Sequence, residues 1–266
     1  MAPYPTPVTA VTAAVMIAAT ALAGAGTARG ADGKALRATY IATNPVQAAV
    51  DPASGEVRGP GAALAREIAR RLDATAQIKG LASPAAVIDS VRSGEADIGL
   101  VAFDPARAAE VAFCDVYVLA QNTYLVNERA GFRAVADVDR PGVKVGVTAR
   151  DTADLVLTRQ LQAAEIIRNT TGTVETAVAW LRDGIVDAYG TNRQRLAALA
   201  AGHPGYRLLD DNFYGVPQSV IVAKANGAMC GTVNAAIAAA RSSGLLARAI
   251  AAAGLVGVDV APPPGR

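Results

Sequence analysis

The sequence has few of the side chains from which metal centres and nucleophilic triads are built. Its 266 residues include a single histidine, His203, and two cysteines, Cys114 and Cys230. His203 stands in the segment Ala-Gly-His-Pro-Gly, which favours a surface turn over a catalytic or ligating role. A zinc site needs three or four His, Cys or carboxylate ligands, and neither Cys-x-x-Cys nor Gly-x-Ser-x-Gly is present. The sequence therefore predicts no metal site, no cofactor and no catalytic residue.

Charge and aromatic rings are also scarce. Charged residues make up 18% of the chain, aromatic residues 5%, and the formal net charge is only +2. No cluster of Lys and Arg interleaved with aromatic residues appears, so the sequence lacks the electrostatic pattern of a nucleic-acid-binding protein. The 52% hydrophobic content is typical of a globular chain long enough for two modest domains.

Long hydrophobic runs are missing beyond the first 31 residues, whereas a membrane span needs roughly 20 apolar residues. Residues 1–30 carry only Arg29 as a charge, with an apolar core from Val11 to Ala23 followed by small residues. This pattern predicts an export signal peptide and a periplasmic, soluble mature chain. No Lys or Arg precedes the apolar core, so an uncleaved anchor and a misplaced start stay open. In an exported chain the two cysteines permit a disulfide, and two separate buried thiols remain the alternative.

A ten-residue segment beginning at Val91 recurs 90 positions later, beginning at Leu181. The copies read Val-Arg-Ser-Gly-Glu-Ala-Asp-Ile-Gly-Leu and Leu-Arg-Asp-Gly-Ile-Val-Asp-Ala-Tyr-Gly, which keeps an Arg, a Gly and an Asp in register. Each copy predicts an amphipathic helix that ends at the glycine and is followed by a short apolar strand. We therefore expect two related halves, with ligand-facing loops beyond the carboxyl ends of the strands.

Hydrophobic periodicity predicts alternating strands and helices in both halves. For the first half it predicts strands over 34–43 and 75–81 and helices over 61–72 and from Ser83 to about Gly94. For the second it predicts strands over 143–147, 165–168 and 187–191, and helices over 151–161, 173–183 and 192–200. Strands over 121–127 and 214–223 are expected to cross between the halves as a two-strand hinge, and two Ala-rich helices broken at Gly244 follow.

The ordered set of motifs resembles the bacterial extracellular solute-binding proteins of family 3, which serve amino-acid ABC transporters. The segments that carry the resemblance are Gly55-Glu-Val-Arg-Gly59, Ser93-Gly-Glu-Ala-Asp97, Asp104-Pro-Ala-Arg107, Val111-Ala-Phe-Cys-Asp-Val-Tyr117, Val143-Lys-Val-Gly-Val147, Asp183-Gly-Ile-Val-Asp-Ala188, and Val220-Ile-Val-Ala-Lys224 with Val233-Asn234. Together they cover nearly the whole mature chain. The resemblance implies an α/β, two-lobed periplasmic-binding (Venus-flytrap) fold, in which two parallel-type sheets flanked by helices are joined by a two-strand hinge.

The resemblance also implies a domain organisation and partners. Lobe 1 is expected to comprise residues 34–123 and 219–258, lobe 2 residues 124–218, and residues 259–266 a flexible tail. A monomer would close on a small carboxylate-bearing solute, an amino acid or a related compound, and deliver it to the membrane permease of an ABC transporter. Two alternatives stay open. One is an enzyme on the same scaffold, similar to cyclohexadienyl dehydratases, and the other is a sensory or accessory binding protein that signals to a membrane partner.

Two residues match the family pattern of ligand contacts. Arg107 matches the arginine that pairs with the ligand α-carboxylate, and a guanidinium suits this role because its fork forms two parallel charge-assisted hydrogen bonds. Thr152 matches a threonine at the N-terminus of a second-lobe helix, where unpaired N–H groups attract an anion. Plain N-capping also fits Thr152, and the two roles are compatible.

Other positions depart from that pattern. Asn192 stands where the family usually has an Asp that pairs with the ligand ammonium, and its side-chain carbonyl can accept from an ammonium without supplying charge. Asp104 stands where a Thr is usual, and Ala102 occupies the position of a polar pocket residue. These departures leave the amine pocket undefined.

Arg150 and Asp151 replace a usual Gly-Thr pair. Arg150 either adds a second anion-binding group or faces water. Gln47 lies in a segment without the aromatic ring that many members stack on the ligand, and we expect it to contribute a polar contact or a structural one.

Overall fold

The structure, a computed structural model, describes residues 34–170 and 175–265. The described strands are β1 (Ala35–Ile41), β2 (Ala49–Val50), β3 (Val57–Arg58), β4 (Thr75–Leu81), β5 (Ile98–Ala102), β6 (Val111–Asn127), β7 (Lys144–Thr148), β8 (Glu165–Asn169), β9 (Ala188–Asn192), β10 (Tyr206–Leu208), β11 (Tyr214–Ala223) and β12 (Val258–Val260). The helices are α1 (Pro60–Arg71), α2 (Pro84–Arg92), α3 (Thr152–Gln160), α4 (Thr176–Arg182), α5 (Arg193–Ala201), α6 (Met229–Ser242) and α7 (Leu245–Ala252). The predicted signal peptide, 1–30, lies outside the described residues.

Each half of the chain builds the same strand order. In the first half, β1 lies between β4 and β5, both parallel to it, and β11 pairs antiparallel with β5. In the second half, β7 lies between β8 and β9, both parallel to it, and β6 pairs antiparallel with β9. Parallel neighbours need crossover connections, which α1 and α2 supply in the first half and α3 and α4 in the second. The two related halves inferred from the sequence repeat are therefore present in the fold.

The strand β6 joins the two predicted sheets. It has 17 residues, enough to extend about 55 Å at a rise of about 3.3 Å per residue. It pairs with β11 from Val111 to Asn122 and with β9 from Asn122 to Val126. The hydrogen-bonded order β4-β1-β5-β11-β6-β9-β7-β8 consequently runs through both halves. Asn122 is the residue at which the pairing of β6 passes from one half to the other.

The glycines of the repeat end their helices in the left-handed region. Gly94 has a φ of 77° and Gly184 a φ of 66°, a conformation that costs glycine little because it has no Cβ. The predicted break at Gly244 has the same cause, since its φ is 72° and it separates α6 from α7.

The aspartates of the repeat also perform one task in both halves. Asp97 Oδ2 accepts the backbone N–H of Arg37 at 2.8 Å, and Asp187 Oδ2 accepts the backbone N–H of Lys144 at 2.8 Å. Each aspartate therefore ties the start of β5 or β9 to the start of the neighbouring parallel strand.

Helices cover both faces of the strands in each half. In the first half, α1, α6 and α7 contribute to one apolar cluster and α2 to another. In the second half, α3 contributes to one cluster and α4 and α5 to another, so that the neighbouring β6 residues Tyr124 and Leu125 are buried in different clusters. No single helix among the described residues is long and apolar enough to cross a membrane. The pair α6 and α7 meets that test together by length and composition only, with a bend of 71° between them.

A disulfide and a terminal strand hold the C-terminal segment on the first half. Cys114 in β6 and Cys230 in α6 form a disulfide. The segment expected to be a flexible tail from residue 259 is ordered at its start, because β12 pairs antiparallel with β6 and Ala261 is 2% exposed. The carbonyl of Ala261 accepts a hydrogen bond from Arg241 Nε at 2.7 Å. The edge of β6 thus provides the backbone partners of β12. A strand of three residues is too short to be predicted from its own hydrophobic periodicity.

Candidate functional site

The predicted site residues lie at the carboxyl ends of strands in both halves. Ala102 is the last residue of β5, and Asp104 and Arg107 follow it in the first half. In the second half, the segment between β7 and α3 carries Arg150 and Asp151, and Asn192 ends β9 and caps α5. Because β7 and β9 run parallel, their carboxyl ends lie side by side.

Arg107 is held at the start of a short 3₁₀ turn. Its Nη1 donates to the carbonyl oxygen of Ala102 at 3.0 Å, and its Nε lies 3.8 Å from Asp104 Oδ2. Asp104 has a local task as well, because its Oδ1 accepts the backbone N–H of Ala106 at 2.9 Å. The Arg107 side chain is 27% exposed, and among the described residues its guanidinium makes no hydrogen bond besides that to Ala102. Most of its five donors therefore remain for a ligand.

The first turn of α3 is capped by two carboxylates of the chain itself. Asp151 Oδ1 accepts the backbone N–H of Asp154 at 3.0 Å, and Asp154 Oδ2 accepts the backbone N–H of Arg150 at 2.8 Å. Thr152, the first residue of α3, is exposed at this end of the helix. The anion-binding role predicted for Thr152 thus has to compete with the negative charge of Asp151.

Asp151 is a half-buried carboxylate, and the positive charge of Arg195 acts on it from beyond ion-pair distance. Burial raises its pKa above the ordinary value, although hydrogen bonds from Asp154 and from the hydroxyl of Thr191 act in the opposite direction. The Thr191 hydroxyl oxygen lies 3.3 Å from Asp151 Oδ2, which joins the ends of β7 and β9. Within the part of the chain that the structure describes, no ion pair includes Asp151.

Asn192 uses its side-chain carbonyl to cap α5. The Oδ1 atom accepts the backbone N–H groups of Gln194 at 3.0 Å and Arg195 at 3.3 Å. The carbonyl that we expected to accept from a ligand ammonium is therefore engaged in the helix cap. The atom left over is Nδ2, a donor, which makes no hydrogen bond to any described residue.

Arg150 occupies a strained backbone position. Its φ is 66°, in the left-handed region where a side chain is disfavoured, which explains why glycine is usual at this place in the family pattern. Its side chain is exposed. Whether it also binds an anion stays a prediction.

Gln47 is buried in the first half and makes internal contacts. Its Oε1 accepts the backbone N–H of Ile41 at 3.0 Å, and its Nε2 donates to Gln218 Oε1 at 3.0 Å. Gln218 lies on the crossing strand β11, so this pair links the end of β1 to the connection between the halves.

The predicted ligand contacts do not include Thr191 or Asn122, although the sequence places Thr191 at the polar end of a predicted strand and Asn122 in the expected hinge. Thr191 is 4% exposed and bonds Asp151, while Asn122 is 4% exposed and pairs with both Asn192 and Tyr214 across neighbouring strands. The available signal was the occurrence of polar residues within otherwise apolar strand segments.

A cavity of about 510 Å³ lies in the first half and includes none of the predicted site residues. Its walls are mainly apolar and include Phe103, Phe113, Leu119, Pro217 and the segment 261–265. Phe103 and Phe113 meet edge to face with ring centroids 5.0 Å apart. The described residues contain no group of three His, Cys, Asp or Glu side chains arranged to hold a metal ion.

Two βαβαβ halves, joined by two crossing strands and carrying polar loops at their strand ends, define the two-lobed periplasmic-binding fold. Residues 37–252 match the family described as bacterial extracellular solute-binding proteins, family 3, and the chain belongs to this family.

Relatives and solved structures agree with this assignment. The chain is 27% identical over 185 residues to a glutamine-binding protein of Geobacillus stearothermophilus, a match that covers 68% of this chain and 69% of the relative. The structure of AbpA from Streptococcus pneumoniae, an amino acid ABC transporter substrate-binding protein bound to L-arginine, superposes with a TM-score of 0.55 and 22% identity over 82% of this chain and 94% of that one. An ancestral cationic amino acid solute-binding protein gives a TM-score of 0.60 and 21% identity, with coverage of 82% and 94%.

Proposed function

We propose that this protein is the periplasmic binding component of an ABC transporter and that it binds a small carboxylate-bearing solute, an amino acid or a close relative, between its two lobes. Family membership and the amino-acid ligands named for its relatives support this proposal. The lobes are residues 34–123 with 219–258 and residues 124–218. A membrane permease receives the solute, and the binding protein itself acts as a monomer without catalysis.

The observation that carries the proposal is that the Arg107 guanidinium is held in place by one hydrogen bond and has further donors unused. One N–H of its guanidinium fixes the side chain on the Ala102 carbonyl, at the carboxyl end of β5. Asp104, the nearest carboxylate, is held by the backbone of its own turn and lies 3.8 Å from Nε. A ligand carboxylate that approaches the remaining donors meets a guanidinium that is already held in place. Because this side chain loses little conformational freedom on binding, the entropic cost of forming two charge-assisted hydrogen bonds is lower.

Ligand identification is the direct test. The exported protein is purified from periplasm without denaturation, and the small molecules released on unfolding are identified by mass spectrometry. Isothermal titration calorimetry with the twenty standard L-amino acids then measures affinities. We expect at least one amino acid or related carboxylate to bind with a dissociation constant in the micromolar range or below. Absence of binding by every carboxylate tried, with a well-folded protein, would contradict the proposal.

Two further measurements separate this function from the alternatives. Incubation with prephenate and arogenate tests the enzyme alternative, and we expect no product. Uptake of the identified solute by cells that have lost the gene tests transport, and normal uptake in these cells would instead favour a sensory role.

A further inference from the structure

On the second-half side of the inter-lobe cleft proposed above, the chain presents one acceptor and one donor, in an arrangement that follows from two helix caps. We propose that Asp151 receives the α-ammonium of the ligand, and that Asn192 donates a hydrogen bond to an acceptor on the same ligand. This inference rests on the proposed function, because it specifies which groups an amino-acid-type ligand meets in that cleft.

The cap on α5 fixes the orientation of the Asn192 amide. Its Oδ1 faces two backbone N–H groups, those of Gln194 and Arg195. A rotated amide would place its NH₂ group against these two donors, so the cap would be lost and three donors would face one another. The atom that remains for a ligand is therefore Nδ2. An ammonium, which carries only donors, has no partner there.

Asp151 offers a hydrogen-bond acceptor, whereas Asn192 offers a donor. One oxygen caps α3 through Asp154, whereas Oδ2 accepts only the Thr191 hydroxyl among the described residues and retains further acceptor capacity. A half-buried carboxylate normally acquires a basic partner in direct contact, and Asp151 forms no ion pair within the described part of the chain, because Arg195 acts on it only from beyond ion-pair distance. A ligand ammonium would supply a positive charge in contact with its free oxygen.

The other carboxylate among the predicted site residues is less suited to the role. Asp104 caps its own turn and lies beside the positive charge of Arg107. The ligand would thus place its carboxylate at Arg107 in the first half and its ammonium at Asp151 in the second half.

The test uses isosteric substitutions that keep both caps. In Asp151→Asn the amide oxygen still accepts the N–H of Asp154, and the Thr191 hydroxyl accepts from the new NH₂ group. Asn192→Asp keeps the α5 cap and adds a carboxylate. The double variant Asp151→Asn with Asn192→Asp has the same net charge as the wild type. Thermal melting of the ligand-free proteins checks folding, and Asp151→Asn should not lower the melting temperature because it removes a half-buried charge.

The probes are the twenty standard L-amino acids and, for each that binds, the 2-hydroxy acid with the same side chain. Calorimetry should show that Asp151→Asn weakens the amino acid about tenfold or more, since an NH₂ donor replaces the charged oxygen and the ammonium loses both its acceptor and the opposite charge. The hydroxy acid, which has no ammonium, should change about threefold or less. The double variant should not recover the lost affinity.

Two results would overturn the inference while leaving the proposed function intact. One is an unchanged amino-acid affinity in Asp151→Asn, combined with loss of binding in Arg107→Ala. The other is recovery of affinity in the double variant, which would place the ammonium against residue 192. If no amino acid binds to the wild type, the proposed function fails and this inference fails with it.

Discussion

At the scale of single residues, Arg107 carries the largest predicted effect. We expect Arg107→Ala to abolish measurable binding of every carboxylate ligand, at a cost of roughly 3–5 kcal/mol, because the ligand charge would be buried without its partner. Arg150→Ala should weaken only some ligands, since its side chain is exposed. Calorimetry on both variants measures the difference. Arg159→Ala, an exposed substitution in the last turn of α3, is the matched control for loss of one positive charge. Near-native affinity in Arg107→Ala would place the carboxylate elsewhere.

A second residue-scale prediction concerns backbone strain. Arg150 has a φ of 66°, so Arg150→Gly should raise the free energy of unfolding by about 1 kcal/mol. Glycine removes the steric penalty of the left-handed region, and part of this gain is offset because glycine has more conformational entropy in the unfolded chain. Urea unfolding monitored by circular dichroism measures the change. Asp73→Gly, at a φ of 49°, is the control and should gain less, because aspartate tolerates this region better. A destabilised Arg150→Gly would show that the Arg150 side chain makes contacts that outweigh the strain.

At the scale of elements, the disulfide between β6 and α6 closes a sequence separation of 116 residues. Replacing both Cys114 and Cys230 by serine should lower the free energy of unfolding by about 2–4 kcal/mol, mainly because the unfolded chain regains conformational freedom. Denaturant titration of the oxidised wild type, the reduced wild type and the double variant measures the effect. The reduced wild type should resemble the variant, and three coincident curves would mean that the bridge adds no stability.

Helix α1 carries a prediction about pH. Hydrogen bonds from Arg70, together with Arg71, lower the pKa of Glu67 to about 2. A depressed pKa stabilises the folded state above the ordinary pKa of glutamate, and this contribution is lost as the pH falls toward about 2. Glu67→Gln should therefore cost roughly 1 kcal/mol at pH 7, a modest value because the Arg70 side chain is exposed, and progressively less between pH 5 and pH 3. Glu95→Gln, which breaks the exposed pair with Lys79, is the control and should change little at any pH.

Many of the helices and strands could be predicted from the sequence. Strands β4 and β11 match their predicted bounds, and the helices after Ser83, Asp151 and Asn192 begin where the capping residues indicate. These features are local, because periodicity and caps act over a few residues. The full extent of β6 and the existence of β12 depend on partners distant in sequence, so their own residues do not reveal them.

The site required three-dimensional information for a similar reason. The sequence identified Asn192 and Asp151 as departures from the family pattern, but the donor and acceptor that each one offers depend on which backbone groups they cap. Burial of the Gln47 amide against Gln218 is likewise a contact between residues far apart in the chain. Residue identity alone therefore suggested candidate ligand contacts, which stay a prediction, and left open which donors and acceptors those side chains present.

At the scale of the whole molecule, binding should be accompanied by closure of the two lobes. The expected hinge comprises residues 122–125 and 216–220, on the crossing strands β6 and β11. Small-angle X-ray scattering should show a smaller radius of gyration once a tightly bound amino acid saturates the protein. Arg107→Ala at the same ligand concentration is the control and should remain extended. An unchanged radius of gyration for every tight ligand would contradict hinge closure.

The change of pairing partner of β6 at Asn122, from β11 to β9, has a mechanical consequence for this closure. Asn122 pairs with Asn192 on one side and with Tyr214 on the other, so residue 192 lies beside the expected hinge. Asp151 is tied to the same place, because its Oδ2 accepts the hydroxyl of Thr191. If the lobes close about this point, we expect Asp151 and Asn192 to move together as one wall, and Arg107, on the other half, to approach them as the ligand is captured.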